Sequence, residues 1–211
     1  MKYPTFALAT IISATSAAAE PHLVLRLIAD EHIIQPGESV HWQLWAELYE
    51  PQDEILATVS NIAFSLTFGG VPSLSITDND FSTAFDSTFF GPADDGTVSF
   101  DTISNASGIN ALPPLQNPGG PDSSNPLLIY SFTMVHNGDG GGEMYTPELS
   151  IEGQMTGAYI GNAFPDEFYY TRIDGRMVQY SIEADTVYNI PAPATGAFAL
   201  LGLTAFRRRS R

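Results

Sequence analysis

The chain of 211 residues contains no cysteine. Disulfides, thiolate nucleophiles and thiolate metal sites are therefore excluded, and the fold must be held by its core. Positive charge is almost as scarce. Lys2 is the only lysine, and Arg26, Arg172 and Arg176 are the only basic residues between Glu20 and Pro193. Those three arginines stand against all 24 acidic residues, so the segment carries a net charge of -21. Such a surface repels nucleic acid and anionic lipid, which removes nucleic acid from the expected partners. It suits basic partners, divalent cations or a salty medium. The apolar runs near the two ends, Phe6 to Ile12 and Ala194 to Phe206, are each shorter than the roughly 20 apolar residues that a stable membrane span needs. Gly-x-Ser-x-Gly, His-Glu-x-x-His and phosphate-cradling loops are all missing. The four histidines, His22, His32, His41 and His136, lack zinc-ligand spacing.

What is present divides into three parts: residues 1–19, 20–189 and 190–211. The first reads MKYPTFALATIISATSAAA. Lys2 supplies the positive start and Phe6 to Ile12 a short apolar centre. Ala17 and Ala19 mark a small-residue cleavage site before Glu20. This is the pattern of a secretory signal peptide, so Sec-type export machinery and signal peptidase are expected partners.

Residues 20–189 show period-two alternation in many short runs, with Gly, Pro, Asn and Asp between them. Strands are predicted over 22–29, 40–48, 62–68, 71–76, 97–100, 127–134, 149–151 and 177–182. Residues 102–126, rich in Pro, Gly, Ser and Asn, are expected to form a long surface loop, and 137–143 a flexible turn. The expected fold is all-β, an antiparallel β-sandwich of jelly-roll or immunoglobulin-like kind.

Calcium is the one cofactor the residues invite, since it takes carboxylate and carbonyl oxygens from loops. The candidate ligands are Asp78 and Asp80, and Asp139 with Glu143. None belongs to an EF-hand loop, and Asp and Asn are also ordinary turn residues. For a ligand such as polysaccharide, the candidates are aromatic: Trp42, Trp45, Tyr169 and Tyr170. Trp42 and Trp45 are three residues apart, so on a regular strand one faces the core and the other is free for a ligand. Paired carboxylates on the sandwich face would be the basis of an alternative, a secreted glycan-active enzyme. With 24 acidic residues such pairs arise by chance, so the expectation is a binding module and not an enzyme.

Residues 190–211 read IPAPATGAFALLGLTAFRRRSR. Pro191 and Pro193 interrupt any helix. Ala194 to Phe206, with Leu200 and Leu201 at its centre, is uncharged and gives roughly 20 Å of helix. Arg207, Arg208, Arg209 and Arg211 follow, and would stay on the cytoplasmic side. Together these parts resemble the PEP-CTERM sorting signal, with Ala192 where that family carries Glu. The resemblance implies recognition by an exosortase, transient membrane insertion and cleavage near Pro191–Pro193. It also implies delivery to the cell surface or extracellular matrix, among polysaccharide and surface proteins.

A second resemblance lies in the middle. Pro36-Gly37-Glu38-Ser39-Val40 leading into an alternating strand, together with Leu127-Leu128-Ile129 running into Ser131-Phe132-Thr133, looks like cohesin-like secreted β-sandwich modules. It implies a binding or scaffolding role.

Overall fold

The computed structural model describes residues 22–49, 54–86, 91–110, 122, 124–138, 142–153, 155–161, 168–173 and 179–190; the two terminal segments lie outside this set. Side chains of 54–58, 158–161, 168–173 and 179 are also outside it.

Fourteen strands are described, and they assemble into three sheets. The first sheet has five: β1 (His22–Ala29), β3 (Ser39–Tyr49), β5 (Leu74–Phe81), β8 (Leu127–His136) and β13 (Gln179–Ala184), in the order β13-β1-β3-β8-β5. The second contains β4 (Glu54–Thr67), β6 (Thr97–Ser99), β7 (Thr102–Ile109), β11 (Met155–Gly161) and β12 (Phe168–Ile173), in the order β12-β11-β4-β7-β6. β10 (Glu148–Ile151) also pairs with β4. A small third sheet joins β2 (Ile33–Ile34), β14 (Val187–Asn189) and β9 (Glu143–Tyr145), in the order β2-β14-β9.

Alternation decides which face each strand buries. In β3, Val40, Trp42, Leu44 and Ala46 are buried, while His41, Gln43 and Trp45 point outward. In β4, Ile62, Phe64 and Leu66 are buried against them. The two inner faces meet in one apolar core with an aromatic centre. Trp42 lies 5.7 Å edge-on from Phe68 and 6.2 Å from Phe132 between ring centroids, and Tyr130 meets Phe64 edge-on at 5.1 Å. Offset and edge-on ring pairs of this kind add to the energy of burial.

The predicted sandwich is therefore present, with corrections at several strands. The expected loop 102–126 begins as strand β7, paired with β4 from Asn61↔Ile109 to Thr67↔Thr102. Its period is broken at Asn105, which has φ 57° and sits at a register shift, and small residues dilute the apolar signal. The flexible turn predicted at 137–143 ends in β9, which starts at Glu143. β5 starts at Leu74 rather than Val71, and β13 runs over Gln179–Ala184 rather than 177–182. β8 also departs from simple alternation: Ile129 and Tyr130 are both buried because a bulge falls opposite Leu44–Trp45. The parallel pairing of β13 with β1 brings residues 179–184 beside 22–27. Among the described residues no helix is long and apolar enough to cross a membrane.

Candidate functional site

The outward side of the five-stranded sheet gathers polar and aromatic residues from three strands. Arg26 of β1 is flanked by Trp45 of β3 on one side and Glu183 of β13 on the other, by strand register. Its Nε lies 3.4 Å from Glu47 Oε2 and 3.3 Å from Glu183 Oε2, and its Nη2 donates to Tyr49 Oη at 2.9 Å. Tyr49 and Glu47 are two residues apart on β3 and so share this face. Hydrogen bonding to Glu47, together with desolvation, raises the Tyr49 phenol above its ordinary pKa, against the lowering effect of Arg26. Trp45 is half-buried, and its indole N–H donates to Gln43 Oε1 at 3.2 Å. A shallow cavity of about 290 Å³ adjoins the cluster, lined by Arg26, Leu27, Ile28, Glu183, Ala184 and Asp185.

Arg26 is the one lysine or arginine whose side chain is described, and two carboxylates lie within ion-pair distance of its Nε. Its long stem can cover apolar surface while the charge stays in water. Val24, on the same outward side, is only 4% exposed. The result is an outward patch of Trp, Tyr and Arg whose side chains bond to neighbours within the sheet. These three residue types carry most of the binding energy in protein interfaces, because each offers large contact area with a polar handle.

The opposite face, on the second sheet, has different chemistry. Thr67 and Thr102 pair across strands at 3.0 Å through their hydroxyls. The Ser65 hydroxyl donates to Glu152 and accepts the Asn105 N–H at 3.1 Å. Thr156 Oγ1 donates to Asn61 Oδ1 at 2.7 Å. Small hydroxyls that already bond one another leave little for a ligand to gain.

The sequence-predicted residues do not converge. Trp42, offered as a ligand contact, is corrected by the structure: it is 0% exposed and packs in the aromatic core. Trp45 is the outward member of that pair. Tyr169 and Tyr170 belong to β12, on the edge of the other sheet, where they pair with Tyr159 and Ala158. They are thus on a different sheet from Trp45; their side chains lie outside the described residues. Asp78 and Asp80 are on β5, in a bulge where Asp78 has φ 52°. The Asp80 carboxyl is raised above its ordinary pKa by desolvation first, then by Asp95 and Asp86. Glu143 is on β9, 3.8 Å from the His136 ring and hydrogen-bonded by the Tyr145 hydroxyl. Asp139 lies outside the described residues, as do Ala17, Ala19, Glu20 and everything from Pro191 onward. Among the described residues no group of three or more His, Asp or Glu could hold a metal.

Arg26, Glu47, Tyr49 and Glu183 were not singled out from the sequence. A signal existed for Arg26: it is one of three basic residues in a strongly acidic segment, placed at an outward position of an apolar strand. Glu183 had none, because only the parallel pairing of β13 brings it to Arg26.

No protein-family model matches the chain, and no curated protein matches it by sequence. Solved structures do match by fold. The seventh ScaB type I cohesin of Pseudobacteroides cellulosolvens superposes with a TM-score of 0.53 at 10% identity, covering 83% of this chain and 96% of that one. The cohesin of the OlpA cohesin–dockerin complex from Clostridium thermocellum gives 0.48 at 9% identity over 79% and 99%. The second type II cohesin module of the ScaA scaffoldin from Acetivibrio cellulolyticus gives 0.44 at 13% identity over 85% and 97%. At such identities the likeness is one of fold, and the first structure carries it. The chain is a β-sandwich with a cohesin-like fold.

Proposed function

We propose that this chain is an exported, non-enzymatic binding module of the cell surface or extracellular matrix. In this reading Sec-type export and signal peptidase remove residues 1–19. An exosortase then processes residues 190–211 after their transient membrane insertion. The β-sandwich remains outside, where it binds a protein through the outward face of the five-stranded sheet.

The observation that carries the binding role is the Arg26–Trp45–Tyr49 cluster. Each of its side chains already has a partner within the sheet, and such pre-arrangement lowers the entropy cost of association. The cavity beside it is open, which suits a macromolecular surface better than an enclosed small substrate. The cohesin-like fold supports the same role. A protein partner with its own basic rim would complement the acidic surroundings.

Intact mass of the protein recovered from producing cells and their medium tests the sorting half. The expected species starts at Glu20 and ends near Pro191–Pro193, with or without an added group. A mature species that keeps Arg207 to Arg211 would contradict exosortase processing.

A further inference from the structure

Exposed apolar side chains gather at one end of the sandwich. By register, Tyr188 of β14 stands between Ile33 of β2 and Met144 of β9. These three form a row across the small sheet and are 48%, 59% and 66% exposed. Ile190, two residues beyond Tyr188, is 43% exposed, and its N–H donates to Ile34 O at 2.9 Å. Phe100 belongs to the same end. Its carbonyl accepts the Ile76 N–H at 2.8 Å, near the start of β5, where Leu74 pairs with His136 and Gly37 N–H donates to His136 O. Phe100 is 73% exposed and has φ 53°, a strained conformation for a non-glycine residue. Single exposed apolar residues are ordinary, but a row of three with further members at the same end marks an interaction surface.

We propose that this end of the sandwich rests on a zwitterionic lipid surface while the following segment is in the bilayer. The inference depends on reading 194–206 as a membrane-inserting segment. The described residues end at Ile190, within the apolar end itself. Only Pro191, Ala192 and Pro193 then separate it from the uncharged stretch. Three extended residues span at most about 10 Å. With Ala194 at the membrane surface, Ile190 and its neighbours are held in or beside the headgroup layer. Tyrosine is suited to that layer, where its apolar ring meets lipid and its hydroxyl meets water, and the aliphatic side chains of Ile33 and Ile190 gain from leaving water there. Asp30, Glu31, Glu38 and Glu143 are exposed at the same end. Their charge disfavours anionic headgroups and restricts the surface to zwitterionic lipid.

The test uses chain 20–211 reconstituted into phosphatidylcholine vesicles. Because the chain has no cysteine, Ile33→Cys, Met144→Cys and Ser124→Cys each give one site for an environment-sensitive fluorophore. Ser124 is exposed and next to Asn125, which is bonded to Leu48 at the other end of the sandwich. The expected result is a blue shift, and quenching by headgroup-labelled lipid, at 33 and 144 but not at 124. Replacing part of the phosphatidylcholine by phosphatidylglycerol should reduce both signals. If the chain floats with the vesicles but 33 and 144 behave like 124, the docking proposal fails and the reading of the tail stands. If the chain does not float with the vesicles, the tail reading fails and takes the proposal with it. A blue shift that persists in detergent without lipid and disappears on dilution would assign the patch to a second copy instead.

Discussion

Gly108 lies against the ring of Phe81 and the Cβ of Phe85. A methyl group there would sit 2.8–2.9 Å from Phe81 ring carbons and 2.9 Å from Phe85 Cβ. Gly108→Ala should therefore destabilise the fold by about 1–3 kcal/mol in urea titration, the usual cost of overpacking a close contact. Phe100 presents the opposite case. It occupies the first turn position between Ser99 and Thr102, which pair across the β6–β7 hairpin, and φ 53° there suits glycine. Phe100→Gly should raise stability by about 1 kcal/mol, because relief of strain outweighs the added chain entropy. An unchanged or lower midpoint would mean that the ring contributes contacts that offset the strain. Residue-scale features were partly legible in the sequence. The spacing of Trp42 and Trp45 implied their opposite facing, but left open which of the two is buried; the structure buries Trp42. The positive φ of Phe100 was not legible, because nothing local distinguishes a strained Phe from a core Phe.

At the scale of elements, one buried carboxylate joins two turns. Asp101 is 4% exposed, and its Oδ2 accepts the N–H groups of Gly70 and Val71, each at 2.7 Å. Its carbonyl takes the Phe68 N–H at 3.1 Å. The β4–β5 connection is thus fastened to the β6–β7 hairpin by charge-assisted bonds. Asp101→Ala leaves two N–H groups without their acceptor and should cost about 2–4 kcal/mol. Hydrogen exchange should show the loss first at Gly70 and Val71, while exchange faster across the whole molecule alone would contradict a local clamp. A comparable fastening involves Tyr130, whose hydroxyl donates to Asp95 O at 2.6 Å and accepts from Asn79 Nδ2 at 3.0 Å. Strand existence was legible where alternation ran undisturbed, as in β1 and β3, and in β8 despite its one bulge. It failed at β7, where Asn105 breaks the phase, and at the short strands of the small sheet. Those strands, two or three residues each, owe their pairing to partners distant in sequence.

At the scale of the whole molecule, charge and burial set the response to solution conditions. Burial raises the Tyr130 phenol well above its ordinary value. Burial, with hydrogen bonding to Glu143, pushes Tyr145 from 10.0 up to about 12. Both groups favour the neutral form in the folded state. Their stabilisation is complete below pH 10, where the unfolded phenol would ionise, and is lost as pH rises toward 12. Unfolding free energy should therefore fall over that window, and Tyr145→Phe should flatten the fall. An equal slope in the variant would remove Tyr145 from the account. The net charge of -21 between Glu20 and Pro193 adds self-repulsion, so moderate salt should raise the melting temperature.

The proposed binding face combines these scales: an outward Arg, two strands that flank it and an acidic molecule around it. The most direct test measures binding of residues 20–193 to matrix prepared from producing cells. Wild type is compared with the double variant Arg26→Ala/Trp45→Ala and with Thr97→Ala on the hydroxyl-rich sheet, and released sugar is assayed in the same samples. The expected result is saturable binding by wild type and Thr97→Ala, lost in the double variant and sensitive to protease treatment of the matrix, with no product released. Binding that survives the double variant, or sugar release by wild type, would contradict a binding module acting through this face.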